Sequence, residues 1–104
     1  MLYLDILKYV RPVAEVDAHL EAHREWLRRG FDEGLVLMAG RRDPRMGGVI
    51  LIKASTLDEA RRYAEADPYI TAGVAEYDLI AFEPTLRSAD TPEHWAPAAR
   101  IMGD

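Results

Sequence analysis

The sequence predicts an α+β fold in which strands and helices follow one another in the order β-α-β-β-α-β. Three observations carry this prediction: short segments rich in apolar and β-branched residues, longer segments with a helical apolar period, and turn-forming residues between them. This order is the split arrangement of the ferredoxin-like folds, with a four-stranded antiparallel sheet. A chain of 104 residues suffices for one domain with a modest core.

The first strand and the first helix follow from a change of period. Leu2 to Val10 is apolar on both parities, which indicates a strand that is covered on both faces. From Val16 to about Phe31 the apolar residues repeat at a helical period, and His23 falls in the middle of their stripe. Gly30 and Gly34 give the chain places to stop and turn.

A hairpin comes next. The apolar run Leu35 to Ala39 predicts the second strand, and the β-branched run Val49 to Ala54 predicts the third. The polar loop between them, Gly40 to Gly48, is longer than the tightest hairpin turns.

The second helix and the last strand complete the sheet. Thr56 and Glu59 have the spacing of a capping box, which predicts the start of the helix. Pro68 disfavours helical dihedrals at Asp67, so we expect the helix to end there, with an acid at the negative end of its dipole. Such an acid is a candidate working group, or a turn residue that bonds nearby backbone. Tyr77 to Pro84 predicts the fourth strand.

Two helices cover only one face of such a sheet, yet the strands are apolar on both parities. A second copy of the chain, packed sheet to sheet, is the simplest cover, and we therefore expect a homodimer. We assign residues 1–84 to the domain and residues 85–104 to a C-terminal extension. Thr91-Pro92-Glu93 predicts a short helix in that extension, which either packs over the dimer or a pocket mouth, or frays.

Composition and charge exclude several classes of protein. Hydrophobic residues at 49% and charged residues at 30% are typical of a globular domain. A net charge of −5 argues against binding of nucleic acid or anionic membranes. Since there is no cysteine, disulfides and thiolate chemistry are excluded. No apolar run reaches membrane-spanning length and no basic leader precedes the first strand, so we expect a cytoplasmic protein.

His23 is the leading candidate for chemistry. Burial of a histidine on an apolar helical face favours its neutral form, and the ring then needs a hydrogen-bond partner. A carboxylate partner would make a general base, whereas a backbone carbonyl would make a core histidine. His19 and His23 also form an H-x-x-x-H pair, which could bind a metal or haem, although the run lacks the glutamate of the zinc-protease motif.

Arginines crowd the predicted hairpin loop. Arg41, Arg42 and Arg45 could bind an anionic group of a substrate, because the guanidinium fork suits carboxylates. A solvated surface loop is the alternative. The double glycine that includes Gly48 indicates a close backbone approach at the same place, but it lacks the spacing of a phosphate loop.

Several short stretches resemble one known family. They are His23-Arg24-Glu25-Trp26-Leu27, Asp32-Glu33-Gly34, Leu37-Met38-Ala39-Gly40, Gly47-Gly48-Val49, Ser55 to Ala60, Ala66-Asp67-Pro68-Tyr69 and Ala72-Gly73-Val74. Together they make the chain from Met1 to Pro84 similar to the YCII-related (YciI-like) proteins. The resemblance implies a dimeric ferredoxin-like α+β barrel, akin to muconolactone isomerase, and an active site built on a His–Asp pair.

By position that pair is His23 and Asp67. One branch of the family is similar to a dehydrochlorinase that acts on a chlorinated hydroxyhydroquinone. The sequence departs from the family at Arg41, where a proline usually follows Ala-Gly, which predicts a different pocket shape or charge. The C-terminal extension has no counterpart that we can match.

The sequence supports three hypotheses about function. The leading hypothesis is a lyase or isomerase that works without a cofactor or metal on a small anionic cyclic or aromatic substrate. In it His23 is the base, Asp67 orients it, and Arg41, Arg42, Tyr69 and Gly48 bind the substrate. The alternative is a noncatalytic module that binds a small metabolite, in which the His–Asp pair is structural. A haem- or metal-dependent oxygenase is a third hypothesis.

Overall fold

The structure is a computed structural model that describes residues 1–103. The main elements are β1 (Leu2–Tyr9), α1 (Val13–Asp17), α2 (Leu20–Asp32), β2 (Val36–Arg41), β3 (Gly47–Lys53), α3 (Leu57–Glu65), α4 (Pro68–Thr71) and β4 (Ala75–Phe82). Two short strands follow, β5 (Leu86–Arg87) and β6 (Arg100–Ile101), with one 3-10 turn (Glu93–Trp95) between them. Over the described residues, no helix combines the length and apolar character needed to cross a membrane.

The prediction of a ferredoxin-like sheet is confirmed. Four strands pair in the order β2-β3-β1-β4, and every pairing is antiparallel. Paired residues of an antiparallel sheet point to the same face, so the register places Tyr3, Leu7, Ile50 and Ile52 together on the face beneath the helices. All four are buried in the main apolar cluster. Within residues 1–103 the sheet stays open and does not close into a barrel.

The first helical region begins earlier than predicted and is divided. The sequence predicts one helix from Val16, whereas the chain forms α1 directly after Pro12 and leaves helical geometry before α2. His19 has a φ of −110°, outside the helical range, and this separates the two helices. Gly30 lies inside α2 and does not end it. Gly34, with a φ of 76°, provides the left-handed turn that follows the helix.

The buried face of α2 is rotated relative to the predicted stripe. Trp26 is 2% exposed, whereas Phe31, the last residue of the predicted apolar stripe, is 46% exposed. Gly30 explains the rotation, because Tyr63 of α3 packs where this residue has no side chain. A Cβ atom added to Gly30 would lie 2.1 Å from the Tyr63 hydroxyl oxygen. The face of α2 that packs into the core therefore contains Trp26 and Gly30.

Asp67 lies directly after one helix and begins another. The α3 helix is capped at Ala66, so the prediction that the helix ends and the chain turns at Asp67 is confirmed. The sequence did not predict that Asp67 is also the N-cap of the short α4 helix, with Pro68 as its first residue. Proline is favoured at that position because its missing N–H has no helical partner to lose. The Asp67 carboxylate therefore accepts from a free N–H group of α4, and this favourable contact offsets the unfavourable end of the α3 dipole.

The C-terminal extension is mostly irregular. In place of the predicted short α-helix, Glu93–Trp95 forms a single 3-10 turn, and β5 pairs in parallel with β6. The Nζ atom of Lys53 donates a hydrogen bond to the backbone carbonyl of His94, which ties the extension to the outer end of β3. Asp104, the last residue assigned to the extension, lies outside the described residues.

The face of the sheet opposite the helices is apolar and largely uncovered. Register aligns Met38, Leu51, Leu4 and Ile80 in one row across all four strands. Met38 is 53% exposed and Ile80 is 45% exposed. This apolar row lies on the sheet face for which the sequence predicts a second subunit as cover.

Candidate functional site

A cavity of about 300 Å³ lies between the helix-covered face of the sheet and α2. Four residues predicted for the site line it: His23, Arg41, Gly48 and Tyr69. Asp67 is fully buried and contacts His23 from behind. A volume at the lower end of the range for ligand pockets suits a small ligand.

The structure brings His23 and Asp67 together, although they are far apart in the chain. The Nδ1 atom of His23, on α2, lies 2.7 Å from Oδ1 of Asp67, at the corner between α3 and α4. His23 is 9% exposed and Asp67 is 0% exposed. A hydrogen bond this short between an imidazole and a buried carboxylate is charge-assisted when the ring is protonated.

Asp67 is fixed by the backbone as well as by His23. Its Oδ1 atom accepts a hydrogen bond from the backbone N–H of Tyr69 at 2.9 Å, in addition to the His23 contact. The same carboxylate therefore caps α4 and orients the imidazole. Because a rigid turn holds the acid, the direction of the His23 ring is set by the backbone and not by a mobile side chain.

Aromatic rings pack against both sides of this pair. The Tyr69 ring stacks on the His23 imidazole, with centroids 3.9 Å apart and planes inclined by 5°. The Trp26 ring lies 5.4 Å from His23 and itself stacks on Tyr63. Trp26 and Tyr63 also exchange hydrogen bonds, from the Trp26 indole N–H to the Tyr63 carbonyl and from the Tyr63 hydroxyl to the Trp26 carbonyl. The imidazole is thus held in one orientation.

The two nitrogen atoms of His23 have different roles in this geometry. With Nδ1 facing a carboxylate, the neutral ring carries its proton on Nδ1 and its lone pair on Nε2. Nε2 makes no hydrogen bond within the described chain, and His23 lines the cavity. An Nε2 lone pair facing a ligand, with an acid behind the ring, is the arrangement of a general base.

Tyr69 can donate a proton in a hydrogen bond over a wide range of pH. Burial raises the pKa of Tyr69 to about 12, and the neighbouring Tyr9 contributes in the same direction. The phenol therefore stays neutral near pH 7 and keeps its O–H as a donor.

The opposite side of the cavity is basic. Arg24, Arg41 and Arg45 all line it. Arg45 is engaged, since it donates to Asp17 at 2.6 Å and lies over the Tyr9 ring, 5.7 Å from its centroid. The hydrogen bond with Asp17 raises the pKa of Arg45 and lowers that of Asp17. Arg41 makes no hydrogen bond or ion pair within residues 1–103, which leaves its guanidinium group available to a ligand.

Arg42 does not line the cavity, in contrast to the prediction that it binds substrate. Successive residues of an extended chain point to opposite faces, so Arg41 and Arg42 cannot both face the helices. Arg41 pairs with Gly48 on the helix-covered face. The Nη1 atom of Arg42 instead lies 3.4 Å from the carbonyl oxygen of Leu7.

The two histidines of the H-x-x-x-H pair line different cavities. His23 lines the cavity described above, whereas His19 lines a shallower one with Arg11 and Val74. In the described part of the chain, no group of three or more His, Cys, Asp or Glu side chains could hold a metal ion.

Several residues of the site were missed by reasoning from the sequence. The sequence predicts no role at the site for Arg24 or Tyr9. It also does not predict the reciprocal hydrogen bonds of Trp26 and Tyr63 beside His23. Only the tertiary packing of α2 against α3 brings these residues together, so no local pattern signals them.

Comparison with known proteins places the chain in a family. No curated protein matches it. A solved structure, 5-chloro-2-hydroxyhydroquinone dehydrochlorinase from Burkholderia phenoliruptrix in complex with 2,5-dihydroxybenzoquinone, is similar in fold, with a TM-score of 0.67 and 21% sequence identity over 81% of this chain and 95% of that one. The family model of the YCII-related domain matches residues 1–83. The chain therefore belongs to the YCII-related domain family.

Proposed function

We propose that the protein is a small-molecule enzyme of the lyase or isomerase type that removes a proton from carbon without a cofactor. His23 is the general base, Asp67 orients it, and the basic side of the cavity binds an anionic group of a small cyclic or aromatic substrate. The observation that carries the proposal is the buried His23–Asp67 hydrogen bond, at 2.7 Å, made by a histidine that lines the cavity.

The proton movement follows from this geometry. Nε2 of His23 takes the proton from a substrate carbon, and the electron pair of that C–H bond forms a new double bond. In an elimination a leaving group departs with its own electron pair, whereas in an isomerisation the proton returns at another carbon. The Asp67 carboxylate stabilises the imidazolium that forms. The neutral Tyr69 phenol can donate to an oxyanion that develops on the substrate.

The substrate class follows from size and charge. A cavity of about 300 Å³ accommodates roughly one substituted ring. Arg41 faces it without a partner in the described chain, while Arg24 and Arg45 line it as members of ion pairs with Glu21 and Asp17. Because the protein as a whole carries a net charge of −5, this local basic surface is a feature of the cavity and not of the average composition.

The solved neighbour supports the same class of reaction. That protein is a dehydrochlorinase, a lyase, and its structure holds 2,5-dihydroxybenzoquinone, a small cyclic ligand. The shared fold alone does not transfer its activity, since unrelated functions recur on one fold. The His–Asp pair in a cavity of suitable size provides the independent argument.

The test is turnover of small ring substrates by the wild-type protein and by three variants. The panel includes 5-chloro-2-hydroxyhydroquinone, with chloride release and quinone absorbance as readouts, and lactone isomerisation. We expect His23→Ala to abolish turnover and Asp67→Asn to reduce it about 10²-fold or more, with the fold retained. His19→Ala, outside the cavity, is the matched control. Full activity of His23→Ala would end the proposal and favour a binding module.

We further propose that two copies of the chain associate through the apolar row on the uncovered sheet face. Met38, Leu51, Leu4 and Ile80 form a continuous stripe, and Phe82 on the same face is 47% exposed. A contiguous apolar surface of this kind is typical of an interface. Packing two such sheets face to face would enclose both stripes in one interior.

Sedimentation equilibrium of the full chain tests this assembly. We expect a dimer for wild type, and a monomer for Ile80→Asp because a buried charge at the centre of the interface is strongly unfavourable. Leu57→Asp, at an exposed apolar position on α3, is the control and should remain dimeric. A monomeric wild-type protein at micromolar concentration would contradict the proposal.

A further inference from the structure

A second buried aspartate lies beneath the site. Asp5 is in the middle of β1, on the helix-covered face of the sheet, where register places Ile50 and Leu79 on either side of it. It is 0% exposed. Neither of its carboxylate oxygens has a hydrogen-bond partner in the described chain. A buried ion with no partner is costly, so this position calls for a specific explanation.

The surroundings of Asp5 point to the His–Asp pair. Among residues 1–103, the buried polar or charged side chains are Asp5, His23 and Asp67. Asp67 uses Oδ1 for both of its hydrogen bonds, and its buried Oδ2 atom also has no partner. The two acids thus present three buried oxygens that lack a donor, and a proton on Asp5 would remove one of the two buried negative charges.

We propose that Asp5 is a positioning residue of this site, held as a neutral carboxylic acid, so that the two buried acids share one negative charge, located on Asp67 and directed at His23. The proposal deepens the proposed function, because it rests on His23 as the base whose charge the cluster controls. Asp5 does not touch the cavity and acts only through Asp67.

The charges around Asp5 agree with this assignment. Burial, and after it the negative charge of Asp67, together raise the pKa of Asp5 to about 7. Tyr63 on α3 and Tyr77 on β4 also face this interior, and burial raises the pKa of each, so both stay neutral near pH 7. His23 faces the cluster from α2. Asp5, unlike these two tyrosines, can therefore change its charge near neutral pH.

Ionisation of Asp5 would change the charge of this cluster. It would add a second buried negative charge to the one on Asp67, and like charges that are buried together are unfavourable. A neutral amide at position 5 cannot ionise, so it leaves only the charge of Asp67.

The experiment is an NMR titration of the His23 ring in wild type, Asp5→Asn and Asp78→Asn. Asp78 is an exposed acid of β4 on the opposite face of the sheet, so its variant removes a charge without entering the cluster. We expect Asp5→Asn to remove the part of the pH response of the His23 ring signals that follows ionisation of Asp5 in wild type. Asp78→Asn should resemble wild type. Identical curves for wild type and Asp5→Asn would overturn the proposal.

A second measurement does not depend on a variant. The carboxyl carbon of Asp5, followed by ¹³C NMR in the wild-type protein, should change between pH 5 and pH 9 with a midpoint near 7. An Asp5 carboxyl that is ionised throughout this range would contradict the proposal. Neither measurement uses turnover. If the proposed enzyme function is wrong, the substrate panel will show no turnover. If the proposal for Asp5 is wrong, the NMR titrations will show it, whatever the substrate panel gives.

Discussion

The two sides of the cavity are built in opposite ways. On one side, which we call the buried wall, His23, Asp67 and Tyr69 are locked by backbone hydrogen bonds, stacking and burial. On the other side, the arginine rim, Arg24 and Arg41 are exposed side chains at the solvent edge. Buried polar groups in a low dielectric interact strongly, whereas exposed charges are screened.

This difference separates the chemical step from recognition. Substitutions in the buried wall should alter the stability of the domain and the protonation of its buried groups, because the residues of the wall have no alternative hydrogen-bond partners. Changes in the arginine rim should alter affinity and leave stability unaffected. The predictions below test that division, beginning with the largest expected effect.

The largest effect should be a pH-dependent loss of stability that originates at Asp5. Its pKa is raised from 3.8 to about 7 in the folded protein, so between these values the folded state binds more protons than the unfolded state. The stability associated with the neutral acid is therefore complete below about pH 4 and is lost as the pH rises through about 7, by up to about 4 kcal/mol. Urea denaturation of wild type and Asp5→Asn at pH 4.5 and pH 8 measures it.

The variant should gain stability relative to wild type at pH 8 and differ little from it at pH 4.5, since an amide cannot ionise. Asp78→Asn again serves as the control for removal of an acid. A gap between wild type and Asp5→Asn that does not change with pH would show that the Asp5 carboxyl ionises in the folded protein as easily as in the unfolded chain.

Asp67→Ala should cost about 2–3 kcal/mol of the free energy of unfolding, because it removes the N-cap of α4 and leaves Nδ1 of His23 buried without an acceptor. Asp67→Asn keeps an oxygen that can accept from Tyr69, so we expect about half that cost. Thermal denaturation followed by circular dichroism measures both. Equal stability of the alanine variant and wild type would show that the buried wall is not held together by this residue.

Gly30→Ala tests the aromatic support of the same wall. The added Cβ would lie 2.1 Å from the Tyr63 hydroxyl and force Tyr63 away from Trp26. Overpacking of this kind costs about 1–3 kcal/mol. Gly40→Ala is the matched control, since its Cβ would meet no atom within 4 Å. Urea midpoints compare the two. A tolerated alanine at position 30 would mean that Tyr63 can move without disturbing the site.

The order of strands and helices and the topology of the sheet could be predicted from the sequence. Strand and helix periods are local, and the resulting order of elements leaves few topologies open. The errors lie where tertiary contacts decide. By its helical period Phe31 is expected in the core. Tyr63 packs against Gly30 instead, so a different face of α2 is buried and Phe31 is exposed. The division of the first helix at His19 has no such signal in its composition.

The candidate site shows the same limit. The sequence indicates His23 and Asp67 because each is a polar residue at an unusual local position. Their contact in space follows only from the packing of α2 against α4. Asp5 carried a comparable signal, a lone acid within an apolar strand, and sequence reasoning passed over it. Arg42 was assigned to the site by composition, although strand alternation could have excluded either it or Arg41.

The smallest expected change in stability is at the arginine rim. Arg41→Gln should leave the free energy of unfolding within about 0.5 kcal/mol of wild type, since Arg41 is exposed and makes no ion pair in the described chain. Binding of an anionic ring compound, measured by calorimetry with 2,5-dihydroxybenzoquinone as the probe, should weaken about tenfold, the equivalent of about 1.4 kcal/mol. Arg42→Gln changes the same charge outside the cavity and should bind the probe as wild type does. If both variants lost affinity equally, the loss would come from long-range electrostatics. Recognition would then not depend on the arginines that line the cavity. If only Arg41→Gln lost it, recognition would depend on one guanidinium group at the cavity edge.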